Sequence, residues 1–148
     1  MRKIYLLLLV LIGGLNAIQA EPIDTTIAKQ LANRFYRQKA NTLVTQRTMP
    51  KIAQCAKAQI NIAGTRQTVN RNCYYVVNFD NGFVIIAADD RVEPILGYST
   101  SSAYNPEEVP VNMAEWMEGY RQEIAAELAT DRRGNAEISE QWHKLKHN

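Results

Sequence analysis

The stretch that decides the fold is "CYYVVNFDNGFVIIAA", residues 73–88. Two runs rich in β-branched and aromatic residues flank "DNG" at 80–82, which is a strong hairpin turn signal. They predict antiparallel strands at about 73–79 and 83–88, with Gly82 relieving the turn. "DDRVEP" then predicts a polar turn, and "ILGYST" predicts a third strand at about 95–100. Consecutive strands without a crossover helix favour an antiparallel sheet.

The segments before this hairpin are less regular. Asp24 is a good N-cap, and Ile27, Leu31 and Phe35 recur every four residues, which predicts a helix over about 24–40. Residues 49–64 are compatible with one strand, although their alanines weaken that pattern. The polar stretch "TRQTVNRN", residues 65–72, is typical of a loop.

Two helices are predicted after the sheet strands. The first, over about 113–130, has an apolar stripe at helical spacing, and this stripe contains Met113, Trp116, Met117, Tyr120, Ile124 and Leu128. A short helix over about 136–146 carries Ile138, Trp142 and Leu145 on one side. The predicted fold is therefore α+β, a twisted antiparallel sheet of about four strands flanked by helices.

The aromatic residues of these elements are predicted to differ in burial. Trp116, Tyr120 and Trp142 lie on apolar helix faces and are expected in the core. Tyr74, Tyr75 and Tyr98 alternate across the sheet, so at least one is expected to be exposed. An exposed tyrosine beside a binding loop is a candidate partner contact.

The N-terminus reads as an export signal. Arg2 and Lys3 precede the apolar run "IYLLLLVLIGGL", and "NAIQA" ends on the small Ala20. This order predicts a signal peptide at 1–20 and a single domain at 21–148, located in the periplasm or secreted, with no membrane association after cleavage. An uncleaved N-terminal anchor is the alternative.

Charge gives no indication of a nucleic-acid partner. The chain has 17 Lys and Arg residues and 15 Asp and Glu residues. Removal of the leader would take away two basic residues and leave 15 against 15, a net charge near zero. A basic surface for nucleic acid is therefore not predicted.

Export would place Cys55 and Cys73 where a disulfide can persist. One intramolecular bridge is possible, and it would close a loop of about 18 residues and contribute about 3 kcal/mol in the loop-entropy model. The alternative is two small, half-buried thiols.

Catalytic patterns are missing from the sequence. His143 and His147 are spaced i,i+4, as in some zinc sites, but they also suit a helix C-terminus as cations. Asp89 and Asp90 would point to opposite faces of a strand, so an ion pair with Arg91 is expected instead of an acid–base pair. We therefore predict no catalytic residue, no metal and no cofactor.

Three blocks in sequence resemble a known family. They are "GFVIIAADDR", "PILGYST" and "NMAEWMEGY", within a match over about residues 73–125. This order is similar to the propeptide domain of the streptopain-type cysteine peptidases, which also occurs alone as an inhibitor of those enzymes. The resemblance implies a twisted antiparallel sheet with helices around it.

The resemblance also implies a partner and a site. In that family an asparagine entering the long helix occupies the specificity pocket of the peptidase and keeps the enzyme silent. Asn112 is the matching position, with Val111 and Met113 as its neighbours in the cleft. The implied function is an exported inhibitor of a cognate streptopain-like peptidase. The alternatives are a detached pro-segment of such a peptidase and a binding module that has lost inhibition.

The family's catalytic domain carries a "C-x-A-T-A" motif and a distant histidine, neither of which follows here, so this chain is expected not to be an enzyme.

Asn112 is also a good N-cap, with Glu115 in position for a capping box and Val111 and Trp116 for a hydrophobic staple. A cap and a pocket-filling side chain would compete for the same carboxamide.

Overall fold

A computed structural model describes residues 22–40, 49–130 and 132–147. The predicted leader, residues 1–20, lies outside these ranges. The elements are α1 (Thr25–Lys39), β1 (Lys51–Asn61), β2 (Thr68–Phe79), β3 (Gly82–Ala87), β4 (Ile95–Ser99), α2 (Val111–Leu128) and α3 (Ala136–His147). No helix within these ranges is long and apolar enough to cross a membrane.

The four strands form one antiparallel sheet in the order β1-β2-β3-β4. The β2–β3 hairpin closes at the pair Phe79↔Gly82, and β4 lies at one edge beside β3. The predicted α+β fold, the hairpin and the third strand are therefore confirmed.

The predicted loop at 65–72 is wrong in its second half. β2 begins at Thr68, and its first residues pair with β1 through Asn61↔Thr68 and Ile60↔Val69. Most of this part of β2 is exposed, so its sequence lacks the apolar alternation that reveals a half-buried strand. Backbone pairing with β1 orders it instead. The turn between the two strands contains Gly64 with φ +76°, the left-handed region that favours glycine.

The sheet separates two cores. Tyr75, Val77, Val84 and Ile86 face α1 and α3 and form what we call the α1-side core. Side chains on the other face meet α2 in the α2-side core, which contains Tyr74, Val76, Ile85, Met117 and Ile124. This alternation explains why both runs of the hairpin are apolar throughout, because each strand is covered on both faces.

α1 begins as predicted but is rotated about its axis. Asp24 caps it by accepting hydrogen bonds from the N–H groups of Thr26 (2.7 Å) and Ile27 (2.9 Å). The buried face consists of Ala28, Leu31, Ala32 and Tyr36, whereas Ile27 is exposed. The small alanines let the helix backbone approach the sheet, so they face the sheet in place of the larger Ile27.

Gly82 is required by packing. A Cβ at this position would lie 2.3 Å from the carbonyl oxygen of Ser99 and 2.6 Å from Cε2 of Tyr36. The Tyr36 ring stacks on Phe79 with ring centroids 4.1 Å apart. The predicted role of Gly82 in relieving the turn is therefore incomplete, because α1 and β4 crowd this position from outside the hairpin.

Candidate functional site

The candidate site lies where the chain leaves β4 and enters α2. We call residues 105–113 the corner segment. Tyr104 immediately precedes it and is only 7% exposed. The side chain of Asn78 on β2 donates from Nδ2 to the Tyr104 carbonyl (2.7 Å) and accepts from the Tyr104 N–H at Oδ1 (2.9 Å). Two hydrogen bonds to the sheet thus anchor the N-terminal end of the corner segment.

Tyr104 is held by two further strands. Its ring packs edge-on against Phe83 of β3, with centroids 5.8 Å apart. Its hydroxyl donates to Oε1 of Gln54 on β1. Burial raises the pKa of Tyr104 above its ordinary value, which already keeps the hydroxyl protonated and able to donate at neutral pH. Three of the four strands therefore position this one residue.

Asn105 shapes the turn that follows. Its Oδ1 accepts from the N–H of Glu107 (3.1 Å), and its Nδ2 donates to Oε2 of Glu108 (3.1 Å). Its carbonyl accepts from the N–H of Glu108 (3.2 Å). This is an Asx-type turn, in which a short amide side chain satisfies backbone groups that have no strand partner. Val109 then packs against the α2-side core.

The predicted cap at Asn112 is wrong. α2 begins at Val111, and its N-cap is Pro110, whose carbonyl accepts from the N–H of Ala114 (2.9 Å). No side-chain cap hydrogen bond forms at this end of the helix. Proline's fixed φ suits the entry into a helix, so the helix begins before Asn112. The capping box with Glu115 and the staple between Val111 and Trp116 are therefore not formed as predicted.

The three predicted peptidase contacts differ in exposure. Val111 is 74% exposed, although it is a β-branched apolar residue. Asn112 is also exposed, and its carboxamide makes no hydrogen bond with another described residue. Met113 is half-buried and packs against the α2-side core. Val111 and Asn112 thus project from the corner, while Met113 anchors it.

Trp116 is a residue whose position the sequence did not reveal. It lies one helical turn after Asn112, on the same side of α2. It is 42% exposed, so the predicted core position is wrong. Its ring packs edge-on against that of the half-buried Tyr120, with ring centroids 4.8 Å apart. Its ring covers Gly97 of β4, where a Cβ would lie 2.6 Å from Cη2. β4 is an edge strand, and the indole stays exposed beside it in the part of the chain that the structure describes.

The other aromatic predictions have clear outcomes. Trp142 of α3 is 3% exposed, and its Nε1 donates to the carbonyl of Val92 (2.8 Å), which confirms its core position. Tyr74 and Tyr75 are buried, whereas Tyr98 is 48% exposed and packs edge-on against Phe35. Tyr98 is thus the exposed tyrosine of the three.

Acidic side chains surround the corner. Glu107, Glu108 and Glu115 are all exposed. Further along α2, Arg121 donates from Nε to Oε2 of Glu118 (2.7 Å). Hydrogen bonds from Arg121 and Gln122 lower the pKa of Glu118 to about 2, so it stays ionised through the physiological range.

The possible disulfide is not formed in the structure, where both cysteines are free thiols, Cys55 half-buried and Cys73 buried, as in the alternative of two small thiols. Cys55 pairs opposite Tyr75 and packs on the α1-side core. Cys73 lies at the irregularity where Ala56 pairs with Tyr74 and Lys57 with Asn72, and it belongs to the α2-side core. The two side chains thus face opposite sides of the sheet, which prevents the geometry a bridge needs.

The polar clusters away from the corner have structural partners. Asp89 is 5% exposed and forms a bidentate pair with Arg91, at 2.8 Å to Nε and 3.0 Å to Nη2. The 2.8 Å contact between Nε of Arg91 and the Asp89 carboxylate confirms the predicted ion pair. Arg91 also donates to the carbonyl of Thr130 (3.1 Å). The rings of His143 and His147 lie 4.5 Å apart. Within the described ranges, no three His, Cys, Asp or Glu side chains group as metal ligands.

Comparison with known proteins identifies the domain. The sequence model of the Spi protease inhibitor family matches residues 20–124, more than two thirds of the chain. The chain belongs to the Spi protease inhibitor family. The match includes α1, the whole sheet, the corner segment and most of α2, so every residue described above around Asn112 lies in the family domain.

One relative extends this result to a longer protein. The chain is 27% identical over 128 residues to the thiol protease/hemagglutinin PrtT of Porphyromonas gingivalis. The aligned part is 85% of this chain but only 14% of that relative. No solved structure matches the chain significantly. This Spi-family chain is therefore a protease-related inhibitor or pro-segment domain, similar to one part of a much larger thiol protease.

Proposed function

We propose that this protein is an exported inhibitor of a streptopain-like cysteine peptidase and that the corner segment blocks the active-site cleft. The observation that carries the proposal is the exposure of Val111 and Asn112 on a corner anchored at both ends. Among the described residues the Asn112 carboxamide does not cap α2, so it can offer two donors and an acceptor to a polar pocket without being released from a cap.

The geometry suits an inhibitor because the corner is ordered before binding. Asn78 and Asn105 hold its first half, while Val109 and Met113 bury its base. A segment that is already ordered loses less conformational entropy on association, and more of the contact energy is retained as affinity. Trp116, beside Asn112, adds an aromatic residue of the kind that dominates many interfaces.

The test is a titration of the purified exported protein against a mature streptopain-like peptidase from the same organism. We expect stoichiometric inhibition by the wild type. Asn112→Ala should raise the inhibition constant by about 100-fold, as expected for the loss of a central hot-spot residue. It should leave the free energy of unfolding within about 0.5 kcal/mol of the wild-type value. Asn70→Ala, an exposed asparagine on β2, is the matched control. Equal inhibition by Asn112→Ala would refute the proposed role of that residue.

Export is part of this proposal and has its own test. The basic residues, apolar run and small residue of positions 1–20 support it. N-terminal sequencing of the protein isolated from periplasm or culture medium should begin at Glu21. A full-length N-terminus in a membrane fraction would favour an uncleaved anchor.

The similarity to part of a long thiol protease favours a second candidate, a pro-segment of such an enzyme. The two candidates differ in the size of the natural product. Antibodies raised against this domain should detect a species no larger than 16.8 kDa, the mass of the chain, for a separate inhibitor. A much larger precursor that is processed to this size would favour the pro-segment.

A further inference from the structure

We infer that Asn78, which lies on β2 far from the corner in sequence, is a positioning residue that holds the corner segment in its binding geometry. This inference rests on the proposed function. Asn78 is 26 residues from Tyr104, and it touches neither Val111 nor Asn112 in any described hydrogen bond. Its effect on a partner would therefore act through Tyr104.

The Asn78 side chain contacts Tyr104 in the way that a neighbouring strand's backbone would. In an antiparallel pair, two residues exchange both N–H···O=C hydrogen bonds. Here the carboxamide of Asn78 replaces one backbone peptide, because it donates to the Tyr104 carbonyl at 2.7 Å and accepts from the Tyr104 N–H at 2.9 Å. A carboxamide supplies a donor and an acceptor side by side, which leucine, serine or aspartate cannot reproduce at neutral pH.

The position of this contact gives it influence over the corner. Tyr104 is the last residue before the Asx-type turn of Asn105, and α2 begins seven residues later at Val111. α2 is itself fixed on the sheet, since Met117 is buried and its carbonyl accepts from the Tyr74 hydroxyl (3.4 Å). The corner segment is therefore fixed at both ends, by Tyr104 before it and by α2 after it. Asn78 supplies the two hydrogen bonds that hold Tyr104.

Loss of this anchor should reduce the fraction of molecules with a competent corner, and apparent affinity falls in proportion to that fraction. Asn78→Leu keeps the size of the side chain and removes both hydrogen bonds. We expect it to raise the inhibition constant by about tenfold, mostly through a slower association rate, because fewer molecules present the ordered corner at the moment of encounter.

A second variant tests the same contact in case Asn78→Leu does not fold. Asn78→Asp keeps the acceptor for the Tyr104 N–H but places a carboxylate oxygen against the Tyr104 carbonyl. It should raise the inhibition constant several-fold while circular dichroism shows a folded protein. Asn72→Leu is the matched control. Asn72 is also on β2, where it pairs with Lys57 of β1, and its side chain also donates a hydrogen bond, to the Tyr75 hydroxyl at 2.9 Å.

Hydrogen exchange separates positioning from general stabilisation. In Asn78→Leu the amides of Tyr104, Glu107 and Glu108 should exchange faster, whereas those of β2 and β3 should keep wild-type protection. Asn72→Leu should leave the corner amides and the inhibition constant unchanged, even if it lowers the unfolding midpoint.

A double substitution gives a third readout. If Asn78 acts through the corner, Asn78→Leu should weaken inhibition much less when Asn112→Ala is already present, so the two effects are not additive. Wild-type inhibition combined with unchanged corner exchange and affinity in Asn78→Leu would overturn this inference and leave the proposed function intact. Absence of wild-type inhibition would refute the proposed function, and the exchange measurement would still decide whether Asn78 orders the corner.

Discussion

At position 112, the decisive feature is that the asparagine side chain does not cap α2. A helix that begins at Val111 with Pro110 as its N-cap leaves the Asn112 carboxamide facing solvent. The competition between capping and pocket filling, which the sequence leaves open, is thereby removed. Whether the carboxamide enters a peptidase pocket stays a prediction, and the titration described above tests it.

The two cysteines lead to a second prediction at the residue scale. Burial raises the pKa of Cys73 to about 11 and also raises the pKa of the half-buried Cys55. Little thiolate is therefore present at pH 8, and thiolate is the reactive form. We expect a thiol reagent to label Cys55 slowly and Cys73 only on unfolding.

The measurement is a thiol count without reductant, in native buffer and in denaturant. Two reactive thiols per unfolded molecule are expected, and Cys55→Ser should leave one. A count of zero for the exported protein would mean that the bridge forms after all, which would require β1 and β2 to pair differently.

At the scale of elements, the glycines distinguish packing from backbone freedom. Gly82→Ala should lower the free energy of unfolding by about 2–3 kcal/mol, because the new methyl group overlaps the backbone of β4 and the Tyr36 ring. Gly119→Ala, in the middle of α2 with open space around its Cβ, should raise it by about 0.5–1 kcal/mol.

Urea unfolding of both variants is the measurement. The pair controls for the loss of backbone entropy, since both substitutions are the same and only the surroundings differ. A Gly82→Ala protein as stable as the wild type would mean that α1 and β4 do not pack on the hairpin as closely as described.

At the scale of the whole molecule, the sheet between two cores makes stability sensitive to alkaline pH. Burial raises the pKa of Tyr74 from about 10 to about 12 and that of Cys73 from about 9 to about 11. The unfolded chain would lose these protons first. The free energy of unfolding should therefore be fully retained below pH 9 and decline as the pH rises from 9 through 12.

Urea titrations at pH values from 8 to 12 should show this decline. Tyr74→Phe removes a titrating group, so its stability should decline less steeply between pH 10 and 12 than that of the wild type. Tyr98→Phe, which alters an exposed tyrosine, is the control and should follow the wild type. Parallel curves for the wild type and Tyr74→Phe would contradict the buried position of the Tyr74 hydroxyl.

Most of the fold could be predicted because its signals are local. The hairpin follows from two apolar runs around "DNG", and α1 from Asp24 and its periodic residues. The first half of β2 could not be predicted, because its order comes from pairing with β1 and not from a buried face. The family resemblance pointed to Asn112, but local patterns alone favoured a cap there.

The sequence by itself determined most of the elements, their order and the family, since periodicity and turn chemistry act between neighbouring residues. Only the tertiary structure decided that Trp116 is exposed over Gly97, that Cys55 and Cys73 face opposite sides, and that Asn78 holds Tyr104. These features depend on the rotation of a helix, on a strand irregularity and on contacts between residues far apart in the chain. The pairing of polar groups at such distances is set by how the elements pack and leaves no periodic trace in the sequence.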